Sequence, residues 1–517
     1  MRRILIIFAS IIFLVSCSQN TRDVREINAA LSQEPVTLDV MTNPTLTGRI
    51  IACGNIYEKL LILDGEGNIR EELASSYSLS EDMKTLVFTL REGVLFHDGK
   101  EMKAEDACAS MNRYLLLYSR AGELTDGALF TVTGEYEISI TGDNSLLFLP
   151  YLIASSPQEA IVMPHYLIDG TNLVTTIIGT GPYRLASWTS GEKIVLERFD
   201  SYSPYGDESN GRWGKKAAAT ERIVYWFVPD SVTRLLGLES GQYDFINDVM
   251  STDENRIEKN EDLRLIRADE SGSIALVFNK KDGPLEDTEI RRAVSYAVSS
   301  ENLMAACYGD GIYTTSSLYM EAWQKEWNTS FLNPYEEENR DKALELLEGK
   351  GKIKLRILSS SLSNLDRIAS VLRDELESIG IECTLTILDW ASFIEERQSS
   401  DWDIYISAFT SVPLPQMKSY LSPSFPGGIG EESEAYSVIK EMNNAGSFDE
   451  AVAIWKEGQE ILWAYCPVYI AGHYTTSYAS SSRLSNIIVQ NGFFFWNSEK
   501  KEKNNEKNLF GEMVTGS

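Results

Sequence analysis

The sequence predicts an α/β protein of two lobes with an antiparallel accessory region in its first third. Three observations predict it. Residues 352–409 read as strand, helix, strand, helix, strand; residues 223–249 repeat that pattern more weakly; and residues from about 73 to 118 read as short paired strands followed by a helix. The 517 residues suit about three domains or two large lobes. With 43% hydrophobic and 24% charged residues, the composition is that of a globular chain with a substantial core.

The first residues read as an address. Met1-Arg2-Arg3 is a basic start, and Ile4 to Val15 is an apolar run of signal-peptide length, too short for a helix crossing about 30 Å of hydrocarbon. It ends in Leu14-Val15-Ser16-Cys17 before the polar Ser18-Gln19-Asn20-Thr21, a lipobox-like pattern that predicts cleavage after residue 16 and lipidation of Cys17. The plainer alternative is an ordinary signal peptide with a chance cysteine. Acyl chains contribute about 0.8 kcal/mol per buried CH₂, so several would anchor the chain durably.

In the accessory region, Leu73 to Tyr77 and Thr85 to Arg91 read as strands, His97-Asp98-Gly99-Lys100 as a hairpin turn, and about Glu105 to Tyr118 as a helix. Further on, Ile223 to Pro229 is a strand, Asp230 or Ser231 caps a helix carrying Leu235, Leu236 and Leu238, Gly241 stops it, and Tyr243 to Val249 is the next strand. Ile274 to Phe278 reads as a short strand, and Asp287 as the cap of a helix carrying Ala293, Ala297 and Leu303.

The clearest unit follows. Lys352 to Leu358 alternates polar and apolar, and Leu365, Ile368, Ala369, Leu372, Leu376 and Ile379 fall at helical spacing between Asn364 as cap and Gly380 as stop. Ile381, Cys383, Leu385 and Ile387 alternate again, a short helix spans 391–398, and Trp402 to Phe409 is the third strand. That order implies parallel strands with right-handed crossovers. Ligands collect beyond the carboxyl ends of such strands, here Ser359-Ser360-Ser361, Asp389-Trp390, Phe409-Thr410-Ser411, Pro229-Asp230 and Asn247-Asp248. The tail from Glu499 to Asn508 has no apolar anchor and is expected to be mobile.

The chemistry classes narrow quickly. Lys plus Arg is 47 and Asp plus Glu 76, a net charge of −29 that excludes a general nucleic-acid binder. His97, His165 and His473 are far apart, and without a His-x-x-x-His or Cys-x-x-Cys pattern neither a metal site nor a triad is supported. Gly179-x-Gly181 is followed by Pro182, so it is not a dinucleotide fingerprint. Beyond Cys17, the cysteines Cys53, Cys108, Cys307, Cys383 and Cys466 are an odd number, so at least one is unpaired within the chain, and most read as buried small hydrophobes. No cofactor is expected.

Glu34-Pro35-Val36-Thr37-Leu38-Asp39, Asn55-Ile56-Tyr57-Glu58-Lys59-Leu60, Leu73-Ala74, Leu90-Arg91-Glu92-Gly93-Val94, Phe96-His97-Asp98-Gly99-Lys100, Ala104-Glu105-Asp106, Gly179-Thr180-Gly181-Pro182-Tyr183, Ser240-Gly241-Gln242-Tyr243-Asp244 and Ile290-Arg291-Arg292-Ala293-Val294, in that order, resemble the solute-binding proteins of ATP-binding-cassette importers, in the peptide/nickel-type family 5. The similarity runs from about residue 26 to 496. It implies the large type II periplasmic-binding-protein-like fold: after a signal peptide at 1–16, lobe 1 at 17–48 and 161–272 with an accessory subdomain at 49–160, lobe 2 at 273–474, a return to lobe 1 at 475–498 and a mobile tail at 499–517. The crossings fall near 271–279 and 467–474.

The same resemblance implies an extracytoplasmic, lipid-anchored, monomeric receptor without catalytic activity. It would bind a peptide-like or other polar organic solute between the lobes and hand it to separate permease and ATPase chains. Candidate ligand contacts are Glu34, Asn247, Asp248, Trp390, Phe409, Thr410, Ser411 and Tyr469. Against each stands a plainer reading, a core Trp390, a solvated Glu34 or a buried structural Tyr469 among them. Peptide-binding relatives usually follow this third strand with Trp and then an Asp that pairs with the peptide amine. Here Phe409-Thr410-Ser411-Val412-Pro413-Leu414-Pro415 holds no acid. Removing the partner of a buried ammonium costs about 3–5 kcal/mol. The expected solute is therefore a blocked or modified peptide, an oligosaccharide or another polar organic molecule, unless Glu34 or Asp248 supplies the charge. The rival readings are a secreted hydrolase using two cleft carboxylates and a surface lipoprotein that kept the fold for signalling or adhesion.

Overall fold

The structure is a computed structural model describing residues 25–155, 158–309, 312–329 and 333–502. Cys17 and the signal segment lie outside the described residues. In chain order the elements that position the site are β1 (Glu26–Leu31), α1 (Leu46–Ala52), α2 (Ala104–Leu117), β2 (Tyr183–Thr189), β3 (Lys193–Arg198), β4 (Arg222–Phe227), α3 (Ser231–Ser240), β5 (Phe245–Ile246), β6 (Leu263–Phe278), α4 (Thr288–Ala297), α5 (Ser300–Tyr308), β7 (Lys354–Ser360), α6 (Leu365–Glu377), β8 (Glu382–Leu388), α7 (Trp390–Glu396), β9 (Ile404–Thr410) and β10 (Val468–Ser481).

These strands form one sheet in the order β8-β7-β9-β6-β10-β5-β1-β4-β3-β2, with Tyr313–Thr314 also paired to β10. At one end β7 lies parallel between β8 and β9. At the other, β1 lies parallel between β4 and β5. Between these two parallel groups, β6 and β10 run antiparallel from Leu263/Ser481 to Val277/Val468 and carry the chain between the lobes. The Ile274–Phe278 strand predicted from sequence is thus the end of a 16-residue strand. Its first half, Leu263 to Ser271, is too charged to read as a strand.

The local chemistry explains the elements. Asp230 caps α3 by accepting from the Thr233 amide at 2.7 Å, and Gly241 closes that helix in the left-handed region at φ 74°. α6 buries Leu365, Ile368, Ala369, Leu372 and Leu376. Asn364 precedes it, but at φ 61° and without a side-chain capping bond. Asp287 caps only α4; Leu303 belongs to α5, which has its own cap in Ser299. The predicted strand at 243–249 shortens to Phe245–Ile246. Asp244 is occupied instead in binding the amide of Asn28 at 2.9 Å.

A separate four-stranded antiparallel sheet, in the order Ala74–Leu79, Thr85–Leu90, Glu137–Thr141, Thr131–Gly134, forms the accessory region. It buries Leu86, Phe88, Ile138 and Ile140, and α2 contributes the buried Met111 and Tyr114. The tail expectation needs correction for its first residues. Glu499–Lys500 pairs with Leu484–Ser485, and the buried Lys500 ammonium donates to Asp244 at 2.8 Å and to the Glu26 carbonyl at 2.9 Å. An ion pair replaces the apolar anchor that the sequence lacks. Residues 503–517 lie outside the described residues.

Gly179 and Gly181 have a packing reason. A Cβ on Gly179 would sit 2.0 Å from the Ile56 carbonyl oxygen, and one on Gly181 2.3 Å from that of Asn55. Backbone cannot yield cheaply there, so Gly181→Ala is expected to destabilise by about 1–3 kcal/mol. Urea unfolding checks this, and an unchanged midpoint would show that the 55–56 segment gives way.

Candidate functional site

Register alone locates the candidate site. β9 ends at Thr410, opposite Gly272 of β6, which is opposite Tyr474 of β10. β5 approaches from the other lobe and ends at Ile246, opposite Ala479 of β10. The carboxyl ends of the parallel strands of both lobes therefore point at each other across five residues of β10, roughly 17 Å. Ligands of open α/β sheets bind beyond such ends. The crossing pair is irregular in this interval: β6 passes from Ala268 to Gly272 while β10 advances only from Thr476 to Tyr474. A bulge of this kind bends and twists the ladder. Here it also presents the Ser271 carbonyl to the Ser411 amide at 2.9 Å.

On the lobe 1 side, Asn247 and Asp248 follow β5. Asn247 is buried and accepts from the Ser32 amide at 2.9 Å. Asp248 turns the chain in the left-handed region at φ 48°, a conformation Asp tolerates. Its exposed carboxylate accepts from the Ser32 hydroxyl and, at 3.1 Å, from the Asn247 amide group. Arg234 of α3 fixes the turn by donating to the carbonyls of Asn247 and Asp248 at 3.3 and 3.1 Å. Asn247 is thus a scaffold for Asp248.

On the lobe 2 side, Phe409 and Thr410 are half-buried. Phe409 stands edge-on to Tyr420, with ring centroids 5.2 Å apart. Trp390 opens α7 beyond the end of β8, two strands out from β9, stacked on Phe393 and 40% exposed. That leaves an indole face at the end of the sheet rather than in the core.

Two candidates are elsewhere or already engaged. Tyr469 is 2% exposed, and its hydroxyl lies 2.8 Å from Ser300 Oγ, with burial pushing its pKa up to about 12. Paired with Leu276, it belongs to the interior of lobe 2, five residues along β10 from Tyr474. The crossing strand is right but this face and end of it are packed, so Tyr469 is corrected to a structural residue. Glu34 accepts from the Trp188 indole at 2.7 Å and from the Gly191 amide at 2.8 Å, which makes its carboxylate a latch on the β2–β3 hairpin.

The seam also gathers residues that sequence reasoning missed. Lys418 pairs with Glu321 at 2.9 Å with both side chains buried, while the other carboxylate oxygen of Glu321, the Tyr420 hydroxyl and both amide atoms of Gln416 are buried without hydrogen-bond partners among the described residues. His473 lies 3.9 Å from Glu321, and burial pushes its pKa down to about 4 despite that carboxylate. Arg120 donates to the Gln416 carbonyl at 2.6 Å, and Ser424 donates to Glu123 at 3.0 Å, joining the accessory region to lobe 2. Glu321, Lys418 and Ser424 sit on loops, and Gln416 and Tyr420 in single three-residue turns of 3₁₀ helix, without a periodicity that sequence could reveal. Arg49 of α1 is buried as well and left a signal, since it is the charged residue in the short helix Leu-Thr-Gly-Arg-Ile-Ile-Ala.

A protein whose two α/β lobes share a two-strand crossing, with polar groups gathered where their strand ends converge, has the architecture of a two-lobed binding protein. Residues 68–431 match the sequence profile of the bacterial extracellular solute-binding proteins, family 5, and the chain belongs to that family. It is a solute-binding receptor by membership. Among described proteins it is 23% identical over 475 residues to the probable peptide ABC transporter periplasmic-binding protein y4tO of Sinorhizobium fredii, covering 86% of this chain and 88% of that one. It is 21% identical over 512 residues to the dipeptide-binding protein of Escherichia coli K12, covering 89% of each. Its fold matches that of AgaA of A. tumefaciens R10, solved with agropinic acid, at a TM-score of 0.77 and 23% identity over 92% of this chain and 99% of that one. It also matches the dipeptide-binding protein of Pseudoalteromonas sp. SM9913, solved with Met-Leu, at 0.76 and 18% identity over 92% and 100%. No helix among the described residues is long and apolar enough to cross a membrane.

Proposed function

We propose that this protein is the extracytoplasmic receptor of an ATP-binding-cassette importer, held to the membrane by a lipid on Cys17, which captures a polar, peptide-sized organic solute and passes it unchanged to a permease. The convergence of Asn247-Asp248 and Phe409-Thr410-Ser411 on the seam carries this reading. The names of the relatives, which speak of peptides, dipeptides and glutathione, support the solute class. The division into lobes that the sequence suggests near 272 and 474 is supported by the bulged middle of the β6–β10 pair, where a hinge would bend.

Function then follows from hinge closure of two rigid lobes. A solute closes them only by as much as it prefers the closed form. A micromolar ligand supplies about 8 kcal/mol in all, enough for closure and still compatible with release. Asp248 and the backbone after β9 would orient the solute, and Trp390 would offer a stacking surface. Native mass spectrometry of protein purified from its own cell is expected to show one small molecule per monomer, and its release and rebinding to change tryptophan emission. Steady turnover of the bound compound would instead establish the hydrolase reading.

A further inference from the structure

α1 brings one cation to the seam without an anion of its own. Arg49 is 4% exposed, its Nε is buried without a partner, and no described residue forms a hydrogen bond or ion pair with its guanidinium. Its surroundings account for the imbalance. Glu159 is a carboxylate within its electrostatic reach, but Lys59 already holds Glu159 at 2.8 Å and Arg212 at 3.2 Å. Arg212 also opposes the Arg49 charge directly. Arg49 also acts electrostatically on Tyr474 and Tyr478, two residues of β10 in the interval between the converging strand ends. Tyr478 in turn feels Asp248, and Tyr474 feels Glu321, so this stretch of β10 connects both lobes' polar groups. α1 is held in place by its Thr45 cap and by the close approach of Gly48 to Thr37 and Pro35.

A buried cation without a partner is strongly unfavourable unless an anion reaches it. The planar fork of a guanidinium matches a carboxylate with two parallel hydrogen bonds. We propose that Arg49 recognises a carboxylate on the captured solute, so the receptor selects anionic or zwitterionic solutes over their neutral counterparts. This rests on the receptor reading above and narrows its substrate class. An uncharged oligosaccharide or a peptide blocked at its carboxyl end is then a poor ligand, whereas a free carboxyl terminus or an acidic side chain is a good one.

The test compares wild type, Arg49→Met and Arg49→Lys in two ways. Small molecules co-purifying with each are identified by native mass spectrometry, and each emptied protein is titrated calorimetrically with trialanine and with trialanine amide. Wild type is expected to carry a carboxylate-bearing solute or to bind trialanine over its amide. Arg49→Met should lose that solute or bind trialanine about 10- to 100-fold more weakly, with Arg49→Lys in between. Because the charge is unpaired in the protein, the thermal midpoint of Arg49→Met should hold or rise, whereas a structural role would lower it. A neutral solute in wild type, one retained equally by Arg49→Met, or equal binding of trialanine and its amide would overturn the inference and leave the receptor reading standing. A wild type that holds no solute and binds neither peptide would fail the receptor reading itself, and the inference with it.

Discussion

Replacing Arg113 by Met is expected to cost about 3–5 kcal/mol of stability. Arg113 lies on α2 in the accessory region and reaches Asp39 in lobe 1 through two parallel bonds, at 2.9 and 2.5 Å, with side-chain exposures of 1% and 0%. It also donates to the Asn172 carbonyl at 2.8 Å, and Asp39 accepts from the Val174 amide at 2.9 Å. Three distant segments thus meet at one ion pair. Removing the cation leaves a sealed carboxylate with only a backbone donor, and the penalty is the desolvation of that charge rather than the attraction lost. The double variant Arg113→Met with Asp39→Asn is therefore expected to recover most of the loss. Urea unfolding of the single and double variants measures both. If Arg113→Met shifts stability by less than about 1 kcal/mol, the accessory region is held by its apolar contacts and the pair contributes little.

The parts of the fold legible in the sequence are those set by local physics. The period of two in Lys354–Ile357 and the helical spacing from Leu365 to Leu376 reflect one buried face each, although the strand becomes buried on both faces from Leu358 to Ser360, and Asp230 and Asp287 cap as their residue type favours. Strand order is not local. β1 inserts between β4 and β5, yet Glu-Ile-Asn-Ala-Ala-Leu is too short and too rich in Ala to announce a strand, and its fit depends on neighbours some 200 residues away. The same holds for the site. Strand ends nominated Asn247, Asp248 and Phe409 to Ser411 as candidates because topology favours ligands there, but periodicity could not say that Asn247 would serve Ser32 or that Tyr469 would face the interior. Glu321 and Lys418 find each other across 97 residues of chain, with no pattern joining them.

Acidification is expected to destabilise the protein between about pH 6.5 and pH 4 through two histidines held neutral. Burial pushes both His97 and His473 down to about 4. At His97 the geometry shows why: Nδ1 accepts from the Gly179 amide at 3.3 Å while Nε2 faces the Gly181 carbonyl at 3.0 Å, so a second ring proton would confront an N–H. At His473, Lys418 adds to the burial and Glu321 opposes it. In the unfolded chain each ring takes up its proton near its ordinary value of about 6.5, whereas the folded chain refuses it until near 4. The stability tied to neutral imidazole is therefore fully present above pH 6.5 and declines as the pH falls through that window, by up to about 1.4 kcal/mol per unit for each ring. Glu58 and Glu375, whose pKa values burial raises, act in the opposite sense, so the wild-type slope alone does not isolate the histidines. The difference between wild type and His473→Gln, followed by thermal melts from pH 7.5 to 4, does. The variant is expected to lose less stability than wild type on acidification, by about 3 kcal/mol across the whole window. Parallel pH profiles for the two proteins would mean that His473 takes up its proton in the folded state as readily as in the unfolded one, with Glu321 as the partner that permits it.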